Sequence, residues 1–143
     1  MSDGADCIFC EILAGESEGS LVYGDETCAA FMDVQPINPG HLLVVPVKHA
    51  AYLSELKEED GMRMFAIAQR LAAALRRTEV KCEGVNVFLA NGEAAGQEVF
   101  HVHLHVIPRY RGDGFAFKFP ASYGQRRKRE ELNEIAENIR RGL

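Results

Sequence analysis

The sequence predicts an α+β protein with a mainly antiparallel five-stranded sheet, one long helix, a short N-terminal helix and a C-terminal helix. Short apolar segments bounded by Gly, Pro and Asp are typical of strands, and they occur together with two longer segments of helical periodicity. No regular strand–helix–strand rhythm is present, which favours an antiparallel sheet. With 143 residues and 47% apolar content, the chain is expected to form one domain over residues 1–143, with a helical C-terminal extension at about 120–143.

The first half of the chain is predicted to contain a short helix followed by three strands. Residues 6–14 suit a helix that is capped by Asp6 and ended by Gly15. Two apolar segments around a polar turn at 25–27 are typical of a hairpin. The next apolar segment lies between Pro-containing breakers and is too short and too β-branched for a helix. The three strands are expected at 21–23, 28–34 and 41–47, the last ending near Pro46.

The second half is predicted to contain the long helix, two strands and the terminal helix. Apolar residues from Met64 to Leu75 recur at three- and four-residue spacings. Acidic residues occupy the first turn of this segment, and Arg76 and Arg77 lie in the last, as the helix macrodipole favours. The helices are expected at 58–77 and about 126–141, and the strands at 85–90 and 101–107, with a small-residue loop at 91–97.

All five histidines fall in or beside two predicted strands. His101, His103 and His105 alternate with aliphatic residues, so a strand would place the three imidazoles on one face. His41 and His49 flank the earlier apolar strand. Three imidazoles about 7 Å apart cannot all be protonated comfortably, so some should be neutral ligands or nucleophiles. The pattern alone leaves open a metal clamp, a nucleophile with supporting groups, or both, although three positions on a flat strand diverge too far to share one ion readily.

The amino-acid composition limits the kinds of molecule that the protein is expected to bind. A formal net charge of -5 and a pI near 5.5 argue against a general nucleic-acid binder. No segment approaches the roughly 18 apolar residues of a membrane span, and the N-terminus does not resemble a signal peptide. We therefore expect a cytoplasmic protein without membrane partners. Four cysteines in such a chain are more consistent with thiols or metal ligands than with disulfides, which directs attention to Cys7 and Cys10.

Motifs along nearly the whole chain resemble those of the histidine triad (HIT) family of nucleotide hydrolases and transferases. Together they are highly specific, and the resemblance implies the family's fold and chemistry. The motifs are Cys7-Ile8-Phe9-Cys10, Phe31-Met32-Asp33, Pro39-Gly40-His41-Leu42-Leu43-Val44-Val45-Pro46 with His49, Asn91, Ala95-Gly96-Gln97 and the segment from His101 to Arg109.

The resemblance implies covalent catalysis at a nucleotide α-phosphate. His103 would be the nucleophile that forms a nucleotidyl-histidine intermediate, and His41 would orient and tune it. His105 would donate to phosphate oxygens, and Gln97 and Asn91 would contact the phosphate and leaving group. The uridylyltransferase branch has glutamine at the third triad position, whereas this chain has His105. A hydrolase of the zinc-containing branch is therefore expected.

The resemblance also implies one structural zinc ion per chain. Cys7, Cys10, His49 and His101 would supply the four ligands of a closed tetrahedral site. Such a site would tie the N-terminal helix to the histidine segment.

The nucleoside contacts are carried over in the same way. Asp33 would accept hydrogen bonds from the ribose hydroxyls, since a carboxylate can accept from two vicinal groups. Glu98 stands where some family members have Ser or Thr against the leaving group, so its role is open. The base is expected among Ile8, Phe9, Ile12, Phe31 and Val34.

Three functions follow from the resemblance. The first is a phosphoramidase that hydrolyses purine nucleoside 5'-phosphoramidates to nucleoside monophosphates. The second is a dinucleoside polyphosphate hydrolase, in which the phenylalanines near the C-terminus, Phe115, Phe117 and Phe119, shape a longer channel. The third is a nucleotide-binding or partner-binding module with incidental turnover. A homodimer with a continuous sheet is also expected from the family.

Overall fold

The computed structural model describes residues 6–143, and its centre is a five-stranded antiparallel sheet. The strand order is β1-β2-β3-β5-β4, so β1 and β4 form the two edges. This confirms the predicted α+β class. The strands are β1 (Leu21–Gly24), β2 (Cys28–Met32), β3 (Leu42–Pro46), β4 (Gly84–Phe88) and β5 (Leu104–Arg109).

Three helices accompany the sheet, with small differences from the predicted bounds. The short helix begins one residue later than expected, because the Cys7 side chain, not Asp6, accepts from the backbone N–H of Cys10 at its N-terminus. Gly15 ends it in a left-handed conformation, as predicted. The long helix ends two residues early, which leaves Arg76 and Arg77 outside it. The helices are α1 (Ile8–Ala14), α2 (Glu58–Leu75) and α3 (Arg129–Gly142).

The sheet is covered on both faces. On one face, the α2 side chains Met64, Ile67 and Leu71 pack against Val44 and Val106. On the other face, α1 contributes to a second cluster. Successive residues of β2 and β3 alternate between the two clusters, which explains their continuous apolar sequences. The second cluster contains Cys7, Phe9, Ala29, Phe31, Leu43 and Val45.

The histidine segment is only partly a strand, so the prediction of a strand over 101–107 is wrong at its start. β5 begins at Leu104, and of the three histidines only His105 lies within it. Before β5, the Val102 N–H bonds to the carbonyl of Ala50, outside any ladder. The alternation still holds, because Val102 packs in the α2-side core while His103 lines a cavity. Likewise, His41 and His49 lie outside β3 at its two ends.

The C-terminal part extends away from the core. α3 has no buried residue, and its apolar side chains Leu132, Ile135 and Ile139 are exposed. Before it, the Arg109 guanidinium bonds to both carboxylate oxygens of Asp113 and fixes the turn after β5. None of the helices in residues 6–143 combines the length and apolar character that a bilayer crossing needs.

Candidate active site and metal centre

A cavity of about 390 Å³ opens between α1, the sheet and the loop before the histidine segment. This volume lies in the usual range of small-molecule sites. The cavity is apolar where α1 and β2 meet and polar where the histidines enter. Nine of the residues predicted for nucleotide binding or catalysis line it: Ile8, Phe9, Ile12, Phe31, Asp33, Val34, Glu98, His103 and His105.

His103 is buried and held in one tautomer by the backbone. Its Nδ1 lies 2.7 Å from the carbonyl oxygen of His101. A carbonyl can only accept, so Nδ1 carries the proton and Nε2 keeps a free lone pair. Burial lowers the pKa of His103 below its ordinary value, which favours the neutral imidazole. The residue therefore combines a free ring nitrogen with a position on the cavity wall.

His41 pairs with His105, not with His103 as predicted from the sequence. The N–H of Ile37 donates to His41 Nδ1, so in the neutral ring the proton is on Nε2. His41 Nε2 lies 2.9 Å from His105 Nδ1 and donates to it. His103 takes its orientation instead from the His101 carbonyl, which accepts from its Nδ1.

His105 is left with its proton on Nε2, in a ring stacked on Phe88. The two rings are 4.3 Å apart and nearly parallel, because Phe88 lies directly opposite His105 across the β4–β5 pair. Burial, followed by the nearby His103 and His41, lowers the pKa of His105 to about 4. The pair of His41 and His105 is therefore neutral at pH 7 and offers one N–H to the cavity.

Asp33 lies between this pair and the apolar end of the cavity. Its Oδ1 accepts from the N–H of Gln35, and its Oδ2 is 3.6 Å from His41 Nε2. The second oxygen is thus too distant for a full hydrogen bond with His41. Asp33 can accept from a ligand while its backbone position is fixed.

Gln97 and Asn91 do not line the cavity. The buried Gln97 amide donates to the carbonyls of Ala51 and Val99 and accepts from the N–H of Gly92. All its polar atoms are thereby engaged in bracing the loop. The Asn91 side chain accepts from the N–H of Leu53. In this arrangement the side chains of both residues hold the loop and its neighbouring segments together.

The four predicted metal ligands converge on one point. Cys7 and Cys10 come from the start of α1, His49 follows β3, and His101 precedes β5. One donor atom from each lies within 4.8 Å of the other three. The His49 and His101 Nδ1 atoms are 3.1 Å apart, and the Sγ–Nδ1 distances from Cys10 to His49 and from Cys7 to His101 are 3.4 and 3.3 Å.

These donors fit a zinc ion. Ideal Zn–N and Zn–S bonds in a tetrahedron separate two nitrogens by about 3.3 Å and a nitrogen and a sulfur by about 3.6 Å, close to the distances found. His101 Nε2 donates to the Pro46 carbonyl at 2.8 Å, which leaves Nδ1 as a lone-pair donor toward the cluster. Burial raises the pKa of the Cys10 thiol to about 11, so a cation would have to displace the thiol proton.

Several functional contacts are absent from the sequence prediction because they come from the main chain. The Ile37 N–H and the His101 carbonyl set the tautomers of His41 and His103. Phe88 was predicted only as a strand residue, and strand register alone places it against His105. A correct register for β4 and β5 would have been the signal to find it.

Comparison with known proteins agrees with the geometry. The HIT domain family model matches residues 14–112. Protein hit of Bacillus subtilis is 39% identical over 139 residues, which cover 96% of this chain and 94% of that protein. A histidine triad nucleotide-binding protein from Candida albicans has a TM-score of 0.84 at 29% identity, covering 96% of this chain and 97% of its own.

A second solved structure concerns the metal centre. A Zn-bound histidine triad family protein from Mycobacterium smegmatis has a TM-score of 0.75 at 33% identity and covers 96% of this chain and 98% of its own. The family match spans more than half of the chain and includes the histidine segment. The chain therefore belongs to the HIT family, whose members are generally nucleotide hydrolases or nucleotide-binding proteins.

Proposed function

We propose that this protein hydrolyses purine nucleoside 5'-phosphoramidates through a nucleotidyl-His103 intermediate and releases the nucleoside monophosphate. The observation that carries the proposal is the state of His103. Its Nδ1–H is held by the His101 carbonyl, so the nitrogen with the free lone pair is Nε2, in a residue on the cavity wall. A neutral imidazole held in one tautomer is the form that nucleophilic catalysis requires.

The reaction proceeds in two displacements at phosphorus. His103 Nε2 donates its lone pair to the α-phosphorus, and the bond from phosphorus to the substrate nitrogen breaks. The nitrogen takes that electron pair and one proton and leaves as the amine. Water then attacks phosphorus, the bond to Nε2 breaks with its electron pair returning to His103, and the surplus proton of water is released. One proton therefore enters in the first step and leaves in the second.

The other histidines stabilise the transferred phosphate. His105 Nε2–H is the neutral donor that the His41 pair leaves available to phosphate oxygens. Neutral donors held in place before the reaction stabilise the negative charge that develops at the phosphate. Gln97 contributes by bracing the loop beside the cavity, as a positioning residue.

The nucleoside binds at the apolar end of the cavity. The purine would lie against Ile8, Phe9, Ile12 and Phe31, with the exposed Val34 at the rim. Asp33 would accept from the ribose hydroxyls. The alternative preference for dinucleoside polyphosphates has less support, because Phe115, Phe117 and Phe119 lie outside the cavity lining.

We also propose one structural zinc ion per chain, held by Cys7, Cys10, His49 and His101. When bound, the ion supplies fixed tetrahedral cross-links between segments distant in sequence. These residues join α1, which carries Ile8 and Phe9 of the cavity, to the segment that ends in the nucleophile. We further propose that residues 1–143 form one HIT domain and that two chains pair into a homodimer.

The covalent intermediate is the sharpest test. Adenosine 5'-phosphoramidate is mixed with enzyme, and the reaction is quenched within one turnover with denaturant at alkaline pH, because a phosphorus–histidine bond is labile in acid. Peptides digested at alkaline pH are then examined by mass spectrometry. We expect an adenylyl group on His103 and neither adduct nor product from His103→Asn. The binding-module alternative would gain if the His103→Asn variant bound nucleotide normally and the wild type showed no turnover.

A further inference from the structure

All the charged residues that line the cavity are acidic. Among the lining residues in the described range 6–143, there is no Lys or Arg, and the carboxylates are Glu18, Asp33 and Glu98. Such a wall repels substrates that carry several phosphates beyond the one that reacts.

The three carboxylates come from different segments of the chain. Glu18 lies in the turn after α1, beside the apolar residues expected to hold the base. Asp33 is fixed by the Gln35 N–H and lies near His41. Glu98 lies on the loop that leads into the histidine segment, and its exposed side chain forms no ion pair with any residue from 6 to 143.

The backbone at Glu98 is held firmly although its side chain is exposed. Gln97, which precedes it, is buried and bonds to the carbonyls of Ala51 and Val99, on either side of the loop. In an in-line displacement the leaving group departs on the side of phosphorus opposite the attacking nitrogen. Because His103 is buried in the cavity wall, the leaving group would depart away from this wall into the cavity, whose lining includes the exposed Glu98.

We propose that Glu98 is a specificity-determining residue that selects substrates whose leaving amine carries an additional positive charge, and that it disfavours anionic leaving groups. This inference rests on the proposed phosphoramidase function and names its substrate class: nucleoside phosphoramidates of diamines and other cationic amines. A carboxylate on the cavity lining attracts an ammonium group in the substrate and in the transition state, and it repels a carboxylate or a further phosphate at the same position.

The test is a charge series of three adenosine 5'-phosphoramidates with leaving amines of closely matched length. They are 1,3-diaminopropane, which is cationic, butylamine, which is neutral, and β-alanine, which is anionic. For the wild type we expect kcat/KM to fall from cationic to neutral to anionic, by about two- to fivefold at each step, as for a solvent-accessible charge pair. The steps should shrink at high salt concentration.

Substitutions then test whether Glu98 is the residue that determines the preference among the three substrates. Glu98→Gln keeps the shape and removes the charge, so the ratios between the three substrates should approach one. Glu93→Gln, an exposed glutamate of the same loop that does not line the cavity, should keep the wild-type ratios. The same is expected of Glu18→Gln, a lining glutamate in the turn after α1. Because ratios are compared, a general change in activity does not affect the conclusion.

The outcomes separate this inference from the proposed function. Hydrolysis of all three substrates at equal kcat/KM would overturn the role of Glu98 and leave the phosphoramidase function standing. Hydrolysis of none would refute the function itself. Wild-type ratios retained in Glu98→Gln, or lost in Glu18→Gln instead, would also overturn the assignment to Glu98.

Discussion

The three histidines proposed for catalysis differ in the group that orients each ring. His103 is held by a carbonyl of its own segment, and His41 by the Ile37 N–H. His105 has only His41 as a partner for its Nδ1. Three residues of one type therefore have three different tautomeric constraints, although they look equivalent in the sequence.

Protonation of His105 should destabilise the folded protein. Its pKa is about 4 when folded, against an ordinary value of 6.5. Between these values the unfolded chain binds a proton that the folded chain excludes, so this contribution to stability is complete above pH 6.5 and is lost as the pH falls toward 4. Urea unfolding at pH 7 and pH 5 should show a larger loss for the wild type than for His105→Phe. Equal losses in the two proteins would contradict the prediction.

Gln97→Ala should act through the loop. Removing a buried amide with three hydrogen bonds leaves the partner groups unsatisfied and should lower the free energy of unfolding by about 1–3 kcal/mol. Asn91→Ala, at an exposed position with one such bond, is the control and should cost less. If Gln97→Ala instead changed only kcat, with unfolding unaltered, the result would contradict this account and support the phosphate contact that the sequence predicts for Gln97.

At the scale of residues, the sequence predicted which side chains come together but not which hydrogen bonds the histidines make. Nine lining residues were predicted from the family resemblance, since a family keeps chemical groups at fixed chain positions. The pairing of His41 depended on a main-chain N–H and carbonyl. Every residue has these groups, so no residue type marks them in a sequence.

At the scale of elements, the candidate metal centre anchors α1. A Cys7→Ser, Cys10→Ser variant should lose its zinc, measured by atomic absorption, and should melt at a lower temperature because α1 loses its link to the histidine segment. Its KM should rise as well, since α1 carries Ile8 and Phe9 of the cavity. Cys82→Ser, outside the cluster, should keep one zinc per chain. Retention of zinc by the double variant would refute the site.

Gly40 allows the chain to turn into β3 just before His41. Its φ is +100°, and an added Cβ would lie 2.7 Å from Val80 Cγ1. Gly40→Ala should therefore cost about 1–3 kcal/mol in urea unfolding, from backbone strain and the close contact. Gly84→Ala has open space around it and no such φ, so it should be nearly neutral. Equal costs at the two positions would contradict this account.

The types of the helices and strands were predictable because the spacing of their apolar residues is clear. The residues at which some of these elements begin or end were not predictable. The strand at 101–107 was predicted from alternation, but pairing begins only at Leu104. The alternation of polar and apolar residues indicates only which way the side chains point. The segment before β5 has alternating side chains but does not form the hydrogen bonds of a strand ladder. The N-terminus of α1 was misplaced because a thiol took the capping role usually filled by Asp or Ser.

At the scale of the molecule, the proposed homodimer would bury apolar side chains that are exposed in the single chain. Met62 and Phe65 on α2 are 65% and 53% exposed, and Val87 on the edge strand β4 is 39% exposed. We expect light scattering to give the mass of a dimer for the wild type and of a monomer for Phe65→Glu. Leu21→Glu, on the opposite edge strand β1, should remain dimeric. If Leu21→Glu dissociated instead, the interface would lie on that edge.

The backbone contacts to the histidines have a consequence for engineering. The donors and acceptors that orient His41, His101 and His103 are main-chain groups of Ile37, Pro46 and His101. Copying the side chains onto another scaffold would therefore transfer residues without their protonation states. A working transplant would have to reproduce the backbone paths of three separate chain segments. The site can therefore be transferred only together with the part of the fold that holds these segments.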